Sequence, residues 1–200
     1  MRWVDVAEAL AECDPAAKCR RGDAIWDSVS HDRRFVQHSR LDPAPTQAPP
    51  VAGRPEKPAL VAPTALAKRG LGSPAGRVAL LHAVAHIEFN AINLALDAVL
   101  RFAGMPPGFY HDWLSVAYDE ARHFRLLDTR LNELGAAYGD LPAHNGLWDM
   151  AEKTAHDPMV RMALVPRVLE ARGLDVTPGM IEKLRNAGDH PSVACLEIIL

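Results

Sequence analysis

The chain has 200 residues, 48% of them hydrophobic, with 22 Lys plus Arg against 25 Asp plus Glu for a formal net charge of -3. That supplies a sizeable core for one domain with an appendage; it implies no strongly basic surface of the kind with which a nucleic-acid binder holds phosphates, and leaves room for a small basic patch. Cys13, Cys19 and Cys195 are too few and too scattered for a disulfide framework or a thiolate zinc site, a pattern that suits a reducing compartment.

From the N-terminus, Asp5, Glu8 and Glu12 interrupt the apolar run that a signal peptide needs. No later window offers some twenty apolar residues. The expectation is a cytoplasmic protein without a membrane span. Residues 4–29 carry Val6, Leu10 and Ala17 at roughly helical spacing, which predicts an amphipathic helical piece within an N-terminal segment 1–40. Pro43, Pro45, Pro49, Pro50, Pro55, Pro58 and Pro63 then forbid regular helix or a central strand. This predicts an extended strap or linker over 41–72, a proline-rich arm leading into a helical domain 73–200.

Ser73-Pro74 combines an N-cap residue with a proline suited to the first helical position, and Gly104-Met105-Pro106-Pro107 is a stop signal. The spacing predicts a helix over 74–103, with Leu81, Val84, Ala85, Glu88, Ile92, Ala95, Leu96 and Val99 on one stripe. A second helix is predicted over 109–134, with Trp113, Val116, Ala117, Glu120, Phe124, Leu127 and Leu131 on one face and Gly135 near its end. A short Pro-Gly connection makes the two antiparallel. Residues 138–156 read as loop with a short helix at 148–154. Asp157-Pro158 opens a helix to 172, kinked at Pro166 and stopped by Gly173; Thr177-Pro178 opens another to 187, and Asp189-His190-Pro191 a last one that still runs at Leu200. The class is all-α.

Glu120 and His123, three apart on a helix, share a face and can share one metal ion. A surface Glu beside a packing His is the plain alternative. Glu120 interrupts an apolar stripe, however, where an uncompensated carboxylate costs several kcal/mol. Glu88 interrupts the preceding helix in the same way, with no Lys or Arg in helical reach on its face. A bond to a Trp or Tyr of another helix, or a metal shared with Glu120 and His123, would satisfy it. Glu170 can be a third carboxylate or an ordinary partner of Arg167 and Arg172. His82 and His86, four apart, suit packing or supporting bonds better than ligation. Glu152 and His156, four apart, flank Lys153 and a predicted helix break, which weighs against their ligating one metal together.

The stretches His82-Ala83-Val84-Ala85-His86-Ile87-Glu88-Phe89-Asn90-Ala91-Ile92, Asp119-Glu120-Ala121-Arg122-His123-Phe124, Ala155-His156-Asp157 and Leu164-Val165-Pro166-Arg167-Val168-Leu169-Glu170-Ala171-Arg172-Gly173-Leu174-Asp175 resemble the bacterial ferritin-like family known as domain of unknown function 455. The resemblance spans about 55–200. It implies a ferritin-like antiparallel helical bundle holding two irons, or a manganese and iron pair, between carboxylates and histidines. By position, Glu88 and Glu170 resemble the single carboxylates, and Glu120 with His123 one of two Glu-x-x-His pairs; the second pair is absent, so the last helix reads as cut short. The activity this implies is an O2-dependent oxidoreductase or hydroxylase, with a small molecule or modified nucleotide as substrate and a separate electron donor. Iron handling or protection against oxidative stress, and a metal-free helical interaction module, stand as alternatives. A bundle lacking the last part of a helix exposes apolar surface, so the purified chain is expected to form homo-oligomers or aggregates; a monodisperse monomer in size-exclusion chromatography at several concentrations would refute this.

Overall fold

The computed structural model of the chain describes residues 2–31, 49–67, 69–165 and 171–200, without the side chains of 171–174. Among the described residues there are eight α-helices and no strand: α1 (Trp3–Ala11), α2 (Pro15–Ser30), α3 (Pro74–Arg101), α4 (Pro107–Glu133), α5 (Gly146–Lys153), α6 (Pro158–Leu164), α7 (Ala171–Asn186) and α8 (His190–Ile199). The all-α class holds.

Cap chemistry sets most of the boundaries. The Ser73 hydroxyl accepts the Gly76 N–H at 3.1 Å before α3, Asp157 accepts from Met159 and Val160 before α6, and Asp189 accepts from Ser192 before α8. The helical piece expected over 4–29 is two helices, because Asp14 accepts the Ala17 N–H at 2.6 Å and Pro15 takes the first helical position of α2. The Asp-Pro signal that opens α6 is therefore present here too. The stop expected at Gly173 also fails. Helix α7 starts by Ala171 and continues through Gly173 and Pro178 to Asn186, since an interior Gly costs only about 1 kcal/mol. The expected kink at Pro166 lies outside the described residues.

The chain divides into two compact units, Met1–Pro55 with Glu88–Arg122, and Glu56–Ile87 with His123–Leu200; α3 and α4 contribute to both. In the first unit, Val6, Leu10, Cys19 and Ile25 of the α1–α2 hairpin are buried, as are Phe89, Ile92 and Leu96 of α3. Each fully buried aliphatic side chain is worth about 2 kcal/mol. Tyr110 closes the turn between α3 and α4, donating to the Phe102 carbonyl and accepting the Met105 N–H, each at 3.0 Å. Gly53 donates to the Leu10 carbonyl at 2.8 Å, and a Cβ there would stand 2.1 Å from the Ala11 carbonyl oxygen, so only glycine fits against the end of α1.

In the second unit, α4 ends on Gly135 at φ +75, with the Ala136 N–H returning to the Leu131 carbonyl. The strap residue Leu60 forms an isolated parallel bridge with Ala143. Buried Arg161 of α6 donates to Thr154 Oγ1 at 2.7 Å and to the Ala151 carbonyl, closing the end of α5. Asp189, only 6% exposed, accepts from Arg130 of α4 at 2.9 Å and lies 3.3 Å from Arg77 Nε of α3. Burial alone would push its carboxyl up, but hydrogen bonds from the Ser192 side chain and backbone and from Arg130 hold it below the usual carboxylate value.

Among the described helices α3, by length and apolar composition alone, is long enough to cross a membrane. Two thirds of that window, 67%, is nevertheless buried inside the protein, and α3 buries His82, His86, Glu88, Asn90, Asn93 and Asp97 as well. It has the character of a core helix.

Asp189→Asn keeps the cap oxygen but removes a charge that two arginines face, so it should cost about 3 kcal/mol in urea unfolding near neutral pH. Because the folded carboxyl titrates below its ordinary value, the loss should be full above about pH 4 and shrink as the pH falls further.

Candidate metal centre

The sequence places one carboxylate on α3 and another on α4 at equal distances from their shared turn. Glu88 stands thirteen residues before the end of α3 at Arg101, and Glu120 thirteen residues after the start of α4 at Pro107. At 1.5 Å per residue, both lie about 20 Å from the turn. A tight antiparallel hairpin therefore brings them level. His123 follows Glu120 by one helical turn on the same unbroken helix, so its position relative to Glu120 is set by helix geometry.

The structure brings these three residues together: one ligand atom from each of Glu88, Glu120 and His123 lies within 4.8 Å of the others. Ligands at about 2.1 Å from one ion stand up to roughly 4 Å apart, so small side-chain rotations would close the set. Glu88 is only 6% exposed, and Glu120 and His123 are half-buried. The donor set, two carboxylates and an imidazole, fits iron, manganese or zinc rather than calcium or copper(I). Glu170, the further carboxylate expected by resemblance, lies outside the described residues.

His82 and His86 turn to a loop that the sequence reading left without a role. His82 Nε2 accepts the Gly139 N–H at 2.9 Å, which assigns the ring proton of the neutral imidazole to Nδ1. Burial holds the His82 pKa below its ordinary value, against an opposing pull from the Asp140 charge. His86 Nδ1 bonds the Tyr138 hydroxyl at 2.9 Å, and the Tyr138 ring stacks on both imidazoles at 5.5 and 6.1 Å. Phe124, which follows His123, meets Tyr138 edge-on at 5.0 Å. Tyr138 has no local sequence signal. Its place follows from the end of α4 at Gly135 and from its own N–H bonding to Asp128, whose carboxyl burial pushes up.

Other polar and aromatic side chains of these helices have ordinary partners. Arg122 pairs with Asp119 at 3.2 Å, Glu152 accepts the Trp148 indole N–H at 2.9 Å, Trp113 packs at 6.3 Å on Phe109, and Tyr118 stacks on Trp26 at 5.9 Å.

Comparison with known proteins adds three findings. The family model described as Protein of unknown function (DUF455) matches residues 11–200. An uncharacterized protein of Haemophilus influenzae (strain ATCC 51907 / DSM 11121 / KW20 / Rd) is 47% identical over 207 residues, covering 99% of this chain and 71% of that protein. No solved structure matches.

Tyr138→Phe keeps the ring stack and removes the bond to His86, so it should lower stability by about 1 kcal/mol. Tyr138→Ala also removes the contacts with Phe124 and the histidines and should cost about 3 kcal/mol or more in the same denaturation assay. Equal losses would show that the hydroxyl, not the ring, carries the anchor.

Proposed function

The chain belongs to the DUF455 family, and from the convergence of Glu88, Glu120 and His123 we propose that it binds iron, alone or with manganese, and uses it in the O2-dependent oxidation of an organic substrate. The single observation that carries the reading is that three ligand atoms from two helices lie within 4.8 Å of one another. Two carboxylates that close are costly to keep both ionised, and a shared cation offsets that cost. A metal ion satisfies both, and the imidazole supplies a third donor.

Glu88 and Glu120 would neutralise the ion, while His123 would fix its position on the α4 side. Iron bound there supplies one-electron redox change and open positions for dioxygen. In this reading α3 is the helix of a ferritin-like bundle that gives one carboxylate, and α4 the helix that gives Glu-x-x-His. Glu170 is proposed as a further carboxylate, completing part of a second iron position. The substrate would be a small molecule or modified nucleotide, and an external donor would return electrons after each turnover.

Loading the chain anaerobically with ferrous iron, removing free metal and measuring bound iron by elemental analysis tests the proposal. Glu88→Gln, Glu120→Gln and His123→Ala should each weaken binding by about 10- to 100-fold or more, and Glu170→Gln should lower the stoichiometry. Unchanged iron binding in Glu120→Gln would end the metal-centre reading; full binding without iron-dependent O2 consumption would end the oxidation reading alone.

A further inference from the structure

Lys18 is a fully buried lysine, 0% exposed, in the first turns of α2. Lysine is almost never enclosed to this degree without a charged partner. Its Nζ donates to the Leu10 carbonyl at 2.7 Å and to Asn93 Oδ1, and it stands 5.5 Å above the Phe89 ring. Leu10 lies in the last turn of α1, and its carbonyl also accepts from Gly53, so lysine and strap together close that helix. Asn93 is likewise 0% exposed, and its Nδ2 donor is buried with no hydrogen-bond partner among the described residues.

The charges around Lys18 are engaged elsewhere. Glu12, between α1 and α2, accepts from the Asp14 N–H at 3.1 Å and from Arg21 at 3.2 Å. Asp14 caps α2 through the Ala17 N–H, and Glu8 of α1 pairs with Arg21. The Cys13 thiol donates to the Ala11 carbonyl, and Cys19 is buried on α2. On α3 the facing groups, Asn93 and Phe89, are uncharged, and Asp97 beyond them is chelated by Arg101.

We propose that Lys18 is a proton-operated latch: with its amine neutral, the α1–α2 hairpin stays clamped on α3, and proton uptake loosens it. The direction follows from the partners: the enclosed amine meets only the Leu10 carbonyl, the Asn93 amide oxygen and the Phe89 ring, none of them charged, so closing the hairpin on an ammonium removes its hydration without supplying a counter-ion. Burial also opposes the charged form and pulls the Lys18 pKa from 10.5 to about 7, against small opposing pulls from Cys13, Glu12 and Cys19.

When the hairpin opens, Lys18 regains an ordinary lysine pKa, so the open form binds more protons than the closed form between about pH 7 and 10.5. Closure is then favoured about tenfold more per pH unit across that window and levels off below about pH 7. Amide hydrogen exchange of the full chain, corrected for the intrinsic pH dependence of exchange, reads this directly. Protection of α1 and α2 amides should rise about tenfold per unit from pH 7 to 9, while α8 amides serve as the reference. Lys18→Met should abolish the slope. Asn93→Asp, which sets a carboxylate against Nζ, should raise protection at pH 7 and move the dependence to higher pH; this variant carries the test if Lys18→Met does not fold. A flat wild-type profile, a slope retained in Lys18→Met, or the same slope in α8 as in α1 and α2 would each overturn the latch. The readout needs no metal, so it stands apart from the oxidation proposal.

Discussion

Six polar side chains buried on one apolar helix set the terms for the rest of the molecule. His82, His86, Glu88, Asn90, Asn93 and Asp97 all lie within α3 and are each at most 6% exposed. A buried polar group without a partner costs about 1–3 kcal/mol, and a charged one more. Different segments answer these groups in turn. Asp97 is bound by Arg101 of its own helix, Asn93 by Lys18 of α2, His82 by the backbone of Gly139 and His86 by the Tyr138 hydroxyl. The loop after α4 and the N-terminal hairpin are thus positioned as much by polar demand along α3 as by the apolar surface they bury.

The candidate centre inherits its geometry from the turn between α3 and α4. Tyr110 ties residues 102–105 into a fixed connection by bonding one carbonyl and one N–H across it. With that turn held, the level of each residue on α3 relative to α4 is a matter of counting, and Glu88 and Glu120 count to the same level. The i to i+3 spacing then adds His123 without further help from the fold. A site built on two helices joined by five residues loses less ordering entropy when a ligand binds than one assembled from distant loops.

Much of this is legible in the sequence because it depends on local chemistry. Ser73-Pro74, Asp157-Pro158 and Asp189 with Pro191 mark three helix starts, and Gly135 marks the end of α4. Glu88 and Glu120 announce themselves by breaking apolar stripes, and their convergence follows from the hairpin. The same local reasoning misses the break before α2, because the helical spacing of Val6, Leu10 and Ala17 runs across Asp14-Pro15 and masks a cap that is in plain view. It also over-weights Gly173 and Thr177-Pro178, whose helix-breaking tendencies α7 absorbs. Tyr138 and Lys18 are hidden for another reason. A tyrosine in a loop and a lysine near a helix start read as solvated, and only tertiary contacts reveal that each answers a buried group on α3.

The two carboxylates buried on α3 show how one helix can treat the same chemistry in opposite ways. Asp97 has an arginine four residues on, and Arg101 holds both its oxygens at 2.9 and 3.1 Å. That cation belongs to the same helix, one turn on, so helix geometry alone keeps it beside Asp97. Glu88 has Val84, Ala85, Ala91 and Ile92 at the corresponding positions, and among the groups near it are a carboxylate and an imidazole of α4. A lysine or arginine at any of those four positions would have made a simple ion pair at little cost in helix propensity. Two carboxylates brought together in a poorly solvated interior are costly to keep both ionised. The contrast between Asp97 and Glu88 on one helix is therefore one of source: the first carboxylate meets a cation of its own helix, and the second is brought beside side chains of another.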